Sequence, residues 1–476
     1  MKLTEAQIAA IVENVVNKLA EEGAFEKAAT GGTGAGDGVF PDVDSALRAA
    51  ELAQRELDAQ TLDKRREIIA VIRRTVEENV QTIARMAVDE TKLGRYDDKI
   101  KKNLCVAQLT PGTEDLKPIV FTGDHGLTLV ERAPYGVIGS ITPCTNPSET
   151  IICNGIGMIA GGNSVVFNPH PNAKGISAYT VKLLNRAIVA VGGPRNLLCC
   201  IADPTQESAQ EMMKHPKVRL LVVTGGGGVV KAAMNSGKKA ICAGPGNPPV
   251  VVDETADIAR AGTDIVAGAS LDNNIVCVDE KEVIAVDAIA DALKAAMVRA
   301  GAHELTGRDI ERLTSLVVKE RVAPPHESVI DKKWVGKDAA LMLKELGISA
   351  PADPRLILID VERQHPLLWS EQLMPILPLT RVKSADEGID LALEMEHGYR
   401  HTASMFSRNI EKLSRMARVV NCSIFIKNGP NYAGLGLGGE GYTSFTIASP
   451  TGEGLTSAKD FARVRRCTLV DYFRIV

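Results

Sequence analysis

Of the nine cysteines in this 476-residue chain, one stands apart by its neighbours. Cys277 lies in ASLDNNIVCVDEKEVIAV, Ala269 to Val286, behind the polar run Asp272, Asn273, Asn274 and ahead of a strand-like stretch. A cysteine just past a polar turn can be reached by a substrate, and a thiolate there would attack a carbonyl carbon and keep the acyl group as a thioester. The other eight sit mostly in apolar runs, where cysteine packs as a small inert hydrophobe. An odd total and the absence of paired C-x-x-C spacing speak against structural disulfides and zinc, so no metal is expected.

Thiolate attack leaves negative charge on the former carbonyl oxygen, and a fixed amide donor would stabilise it. Asn146, in the proline-bounded loop of APYGVIGSITPCTNPSETIICNGIGMIAGGNSVVFNPHP (Ala133 to Pro171), could be that donor. Taken alone it fits a turn asparagine equally well. A ligand-binding turn is easier to place in VRLLVVTGGGGVVKAAM, where a strand is expected to end at Val223. There Thr224, Gly225, Gly226, Gly227 and Gly228 turn the chain and a helix begins near Val229. Helix N-termini offer free amides and positive dipole to a pyrophosphate, and four successive glycines exceed what a plain turn needs. Gly155, Gly157 and Ala160 imitate a G-x-G-x-x-A dinucleotide fingerprint, but they lie inside an expected helix and are set aside.

In this order the segments resemble the aldehyde dehydrogenase superfamily, and the resemblance runs from about Val39 to Val476. It implies Cys277 as nucleophile, with Asn146 and the Cys277 backbone amide as oxyanion hole. A nicotinamide cofactor, NAD, is implied on the glycine turn, with Thr142, Pro143, Asn168 and His170 around it. Glu371 in WSEQLMPILPL would take the nicotinamide ribose, both hydroxyls of which a carboxylate can accept; the plainer reading is an exposed loop acid. Asn168 replaces the superfamily's lysine, which puts ordinary adenosine-ribose recognition in doubt. Cys242 in AICAGPGNPPVVV stands where hydrolytic members carry the glutamate that activates water. A thiol acceptor has less use for such a base, so the resemblance narrows to the CoA-acylating branch, with coenzyme A as co-substrate and a short-chain aldehyde, propionaldehyde foremost, as substrate. Two rivals are a hydrolytic semialdehyde dehydrogenase and a catalytically idle shell-binding scaffold. His397 and His401 could shuttle protons, although structural histidines are the preferred reading.

The expected fold is α/β, like that of the aldehyde dehydrogenases: two Rossmann-like domains and a β oligomerisation arm. Alanines and leucines at helical spacing predict helix from Asp42 to Thr91. Beyond it VVFNP, LLCCIA, VRLLVVTG, the valines before Asp253, EVIAV and LILID predict short strands alternating with helices, hence largely parallel sheets. A cofactor domain is expected over 39–246, interrupted by arm strands near 121–134, then a catalytic domain over 247–446 and a C-terminal arm over 447–476. GDHGLTLVERAP and CTLVDYFRIV would build the arm and pair with a neighbouring subunit in a dimer or tetramer.

Ahead of the globular chain, Leu3, Ile8, Ile11, Val12, Val15, Val16 and Leu19 recur at helical spacing in residues 1–22. A glycine-rich linker follows over 23–38. A helix that docked on its own body would not need so long a tether, so a partner-binding tag is favoured. Comparable extensions direct the acylating relatives into the protein shell of bacterial microcompartments. A net charge of −4 and 4% aromatics argue against nucleic acid. No apolar run approaches the ~20 residues of a membrane span, and Glu5, Glu13, Glu21 and Glu22 break any secretory signal. A cytoplasmic location is expected, in the lumen of such a compartment.

Overall fold

The computed structural model describes residues 37–350 and 353–475. The expected targeting helix and nearly all of the linker lie outside the described residues.

The predicted helical stretch is two helices. α1 (Val43–Asp58) starts where the Asp42 carboxylate accepts the Ser45 amide, and it buries Val43, Ala46, Leu47, Ala50, Ala53 and Leu57 at three- and four-residue spacing. Thr61 caps α2 (Leu62–Thr91) in the same way, and α3 (Tyr96–Leu109) packs against it.

The first sheet contains β1 (Val39–Phe40), β4 (Val137–Thr142), β5 (Ser164–Pro169), β6 (Leu198–Ile201), β7 (Val218–Thr224) and β8 (Ala240–Ala243), in the order β1-β6-β5-β4-β7-β8. Every pairing is parallel. Parallel strands are covered on both faces, which is why these read as nearly unbroken apolar runs. Val165 and Phe167 enter the layer formed with α2, α4 (Pro147–Ala160) and α5 (Lys174–Ala190). Val166 enters the opposite layer, with α1, α6 (Gln206–Lys214) and α7 (Gly227–Met234). The glycines set aside above serve packing within α4. A Cβ on Gly157 would stand 3.0 Å from the Phe461 ring, and one on Gly155 3.3 Å from Leu198.

The second sheet takes β9 (Pro249–Val252), β10 (Glu282–Val286), β11 (Ala302–Leu305), β14 (Leu356–Asp360), β15 (Ile376–Val382), β16 (Thr402–Phe406) and β17 (Ile424–Lys427), in the order β11-β14-β15-β10-β9-β16-β17. It too is wholly parallel. Val250 and Val252 face α8 (Ile258–Ala269), while Val251 faces the opposite helical layer. Short ladders join β12 (Val318–Glu320) to β13 (Val329–Ile330), and β18 (Ile447–Ala448) to β19 (Gly454–Leu455).

The arm is β2 (Ile119–Gly123), β3 (Gly126–Pro134) and β20 (Ala462–Val470), antiparallel in the order β2-β3-β20. Within the chain the arm segments pair with each other, Ala462 opposite Pro134 through Val470 opposite Gly126. One expected boundary differs: the terminal arm strand begins at Ala462 and not at 447, because Phe445, Ile447, Ala448, Ala458 and Phe461 are buried in the first domain's core. Their side chains complete a layer that sequence order alone assigns elsewhere.

Candidate functional site

Cys277 lies between α8 and β10, at the end of a backbone path that few residues tolerate. Asp272, Asn273 and Asn274 take φ of 47°, 59° and 62° in succession. Asp and Asn enter this left-handed region most readily among residues with side chains, because their short polar groups bond locally. Each is pinned. The Asn274 amide donates to the carbonyls of Ala269 (2.7 Å) and Glu280 (2.9 Å), and Asn273 donates to Gly336 O (3.0 Å) and Asp338 (2.9 Å). The buried Lys281 ammonium donates to Asn274 O (3.1 Å), Asn274 Oδ1 (2.6 Å) and Val276 O (3.1 Å). The polar run ahead of Cys277 therefore builds a rigid turn more than a solvated one.

The Cys277 residue is half-buried, but its sulfur is enclosed. Burial, then the Glu371 carboxylate, push the thiol up to about 12. Glu371 accepts the Gly246 amide at 3.3 Å, and burial raises its own carboxyl to about 7. A Cβ on Gly246 would stand 2.8 Å from His401 Cγ and 3.2 Å from the Cys277 carbonyl oxygen, so Gly246 lets thiol loop, carboxylate and imidazole converge. His401 is fully buried and drawn down to about 3 by burial and then Lys281. Its Nδ1 meets Thr402 Oγ1 at 2.8 Å, and its Nε2 has no partner. His397 packs against Trp369 and Tyr399, with Nε2 2.9 Å from Trp369 O.

Asn146 caps the N-terminus of α4 and is 6% exposed. Its Oδ1 accepts from Lys102 Nζ at 2.5 Å and its Nδ2 donates weakly to Thr145 Oγ1 at 3.3 Å. Lys102 and Lys99 share Asp272 Oδ2, at 2.5 and 2.8 Å. Through that carboxylate the Asn146 loop is tied to the turn that carries Cys277.

Around the glycine turn the helix starts at Gly227, two residues ahead of the expected Val229, with Gly226 as cap. Gly227 and Gly228 therefore present first-turn amides, which no intrahelical carbonyl satisfies. No atom lies within 4 Å of where a Cβ would stand on Gly226, Gly227 or Gly228, which leaves room for a pyrophosphate. Thr224 Oγ1 contacts Thr446 Oγ1 at 3.0 Å. At the end of β4, Thr142 is buried with its hydroxyl unpartnered, and Pro143 follows it. The open glycine turn, the orphaned Thr142 hydroxyl and the Glu371 carboxyl are each groups of the kind a dinucleotide would use. Asn168 does not join them: its Oδ1 accepts Ser208 Oγ (2.6 Å) and its Nδ2 points to Thr205 O (3.5 Å), so it serves the cap of α6. His170 is exposed, its Nδ1 accepting from Asn172 N at 3.1 Å. Partial desolvation of its ring and then Lys332 lower its affinity for a proton.

Cys242 is buried within β8, its side chain packed in the layer of Val230 and Ala233, and burial followed by Glu453 pushes its thiol up to about 11. It neither reacts readily nor offers a base. Sequence reasoning missed Lys99, Lys102 and Lys332. The spacing of three between Lys99 and Lys102 puts both on one face of α3, but beside Asp97 and Asp98 such a face reads as solvated.

A cysteine between two wholly parallel sheets, with the Glu371 carboxylate acting on its thiol, is an arrangement suited to a dehydrogenase with a thiol nucleophile. Residues 35–452 match the aldehyde dehydrogenase family model, and the chain belongs to that family. It is 49% identical to an acetaldehyde dehydrogenase (acetylating) of Bilophila wadsworthia, with all of both chains covered. A crystal structure of Rhodopseudomonas palustris propionaldehyde dehydrogenase with bound CoA and an acylated cysteine is 50% identical, TM-score 0.88, covering 91% of this chain and 98% of that one. The propionaldehyde dehydrogenase of the Clostridium phytofermentans fucose utilisation bacterial microcompartment is 48% identical, TM-score 0.89, covering 92% and 100%.

Proposed function

We propose that the chain oxidises a short-chain aldehyde, propionaldehyde foremost, with NAD+ and coenzyme A to acyl-CoA and NADH, through a thioester on Cys277. The observation that carries the choice of acceptor is Cys242. The position that resembles the hydrolytic enzymes' glutamate holds a buried, electrically silent thiol, so nothing there activates water.

Cys277 Sγ bonds to the aldehyde carbon once its proton has left, and Glu371, the carboxylate that acts most strongly on the thiol, titrates where it can receive that proton. Asn146 Nδ2 and the Cys277 amide hold the oxyanion. Gly226, Gly227, Gly228 and Thr142 would seat the dinucleotide, with Glu371 at its ribose; when bound, it accepts the hydride that the adduct's carbon loses. The coenzyme A thiol then takes the acyl group and returns the Cys277 thiol. The relatives named acetylating, and the one with CoA and an acylated cysteine, support this reading.

The test is NADH formation with propionaldehyde and NAD+. Without coenzyme A, one burst per active site should be followed by a slow rate; with it, turnover should be sustained and mass spectrometry should find acyl-CoA. Rapid multiple turnover to free acid without coenzyme A would establish the hydrolytic rival, and no NADH under either condition the idle scaffold.

The arm leaves Ile119, Val120, Phe121, Val464 and Val470 exposed, a surface suited to a second copy, and we read the protein as a homo-oligomer. Residues 1–22 are read as a tag for microcompartment shell protein, a reading supported by the microcompartment relative. Among the described residues no helix is long and apolar enough to cross a membrane.

A further inference from the structure

Two lysines in α3 are buried completely, a state that lysine avoids unless it is paired. Lys99 donates to Thr145 O at 2.9 Å and to Asp272 Oδ2 at 2.8 Å. Lys102 donates to Asn146 Oδ1 at 2.5 Å and forms ion pairs with Asp272 Oδ2 at 2.5 Å and Glu149 Oε1 at 3.1 Å. Asp272 and Glu149 are themselves buried, so two ammonium and two carboxylate groups make a balanced cluster. Asp272 is fixed further by the Arg95 amide on Oδ1 at 2.6 Å. The proposed chemistry uses neither lysine.

A carboxamide can face a neighbour with its oxygen or its nitrogen, and many sites tolerate both. A lysine ammonium has three donors and no acceptor, so only the oxygen can face it. With Oδ1 committed to Lys102, Nδ2 must point the other way, and its internal bond to Thr145 Oγ1 is long at 3.3 Å. The adjacent positive charge also draws electrons from the amide, which makes N–H a stronger donor in a buried setting.

We propose that Lys102 is a positioning residue for the oxyanion hole, its ammonium clamped by Asp272 and Glu149 so that it fixes the Asn146 carboxamide with the N–H donors toward the Cys277 adduct. The assignment rests on the reading of Asn146 as an oxyanion donor. Burial opposes the charge on Lys102, but Asp272 and Glu149 outweigh it and raise its proton affinity above the ordinary lysine range, so the clamp stays charged throughout the working pH range.

The experiment is a mutant cycle read by the pre-steady-state NADH burst with propionaldehyde, with NAD+ affinity measured by fluorescence. Loss of an oxyanion donor costs about 10²–10³ in rate, so Asn146→Ala should slow the burst by that factor. Lys102→Met should slow it by about 10–10² with unchanged NAD+ affinity, and adding it to Asn146→Ala should change the burst by less than about threefold, because there is no amide left to orient. Lys102→Met/Glu149→Gln removes one charge of each sign and leaves Lys99 paired with Asp272. It carries the same cycle should the single variant not fold, because no unpaired buried charge remains. A parental burst in the Lys102 variants, or an equal fractional loss with and without Asn146, would overturn the proposal. A parental burst in Asn146→Ala would instead remove the oxyanion reading on which it rests.

Discussion

Glu371 is placed to suppress the nucleophile of the resting enzyme, and Glu371→Gln should release it. The Cys277 thiol moves from an ordinary 9.0 to about 12, so its thiolate at pH 8 falls from about a tenth to roughly one part in ten thousand. Burial is the leading cause and Glu371 the second; a single neighbouring charge shifts a buried group by about one unit or more, so removing it should raise the thiolate about tenfold. A less basic thiolate is also a weaker nucleophile, with a slope of about 0.4–0.5, which leaves a net gain of about threefold. Iodoacetamide labelling without cofactor, the labelled peptide identified as that of Cys277, measures this directly. Because the Glu371 carboxyl titrates at about 7, parent and variant should label alike at pH 6 and diverge to about threefold by pH 8.5. Stability supplies a control. A carboxyl raised in the folded state binds a proton there that the unfolded chain has lost, so between pH 4.5 and about 7 the parent loses stability as pH rises, by at most about 3–4 kcal/mol. Partial solvent contact reduces that figure. The Gln variant lacks this slope, and its Tm at pH 8 should not fall below the parent's. Turnover should nevertheless drop, since the ribose contact and the acceptor for the thiol proton go too. Labelling at or below the parental rate across pH 6–8.5 would refute the electrostatic coupling.

Cys277→Ala should abolish NADH formation beyond a trace while the fold and NAD+ binding persist, whereas Cys242→Ala should keep substantial activity; loss in the second variant and retention in the first would identify the wrong thiol. Removing residues 1–22 should leave a soluble, active enzyme, and the same segment fused to an unrelated protein should bring it to shell protein in a pull-down. A truncated enzyme that unfolds, or a fusion that fails to bind, would favour a helix docked on its own body.

Much of this architecture is legible because its signals are local. Strand β5 is a bare β-branched and aromatic run in a doubly covered sheet, and the four glycines after Thr224 declare a turn that no side chain fills. Cys277 stands out for a different reason: it alone of the cysteines follows the polar run Asp272, Asn273 and Asn274, although only the fold shows that this run is a rigid left-handed turn. What the sequence hides is set by partners far along the chain. Asn168 is placed beside the cofactor by resemblance alone, and only the fold shows Ser208 and Thr205 beside its carboxamide; Lys102 looks like a solvated helical charge until Glu149 and Asp272 enclose it. Phe445 and Phe461 carry no mark of the sheet to which they belong.

That last displacement has a consequence for biosynthesis. The core around β4 and β5 is closed by Phe445, Ile447, Ala458 and Phe461, with Asn163 Nδ2 tied to Phe461 O at 2.9 Å. On a ribosome adding about 5–20 residues per second, these residues follow β8 by roughly 10–40 s. Throughout that interval the first sheet is complete in sequence yet lacks part of its apolar cover. The nascent nucleotide-binding half must wait, open to aggregation or to a chaperone, for the whole second sheet to be made. A fragment ending near Gly246 should therefore behave as an unfinished protein and not as a small cofactor-binding domain.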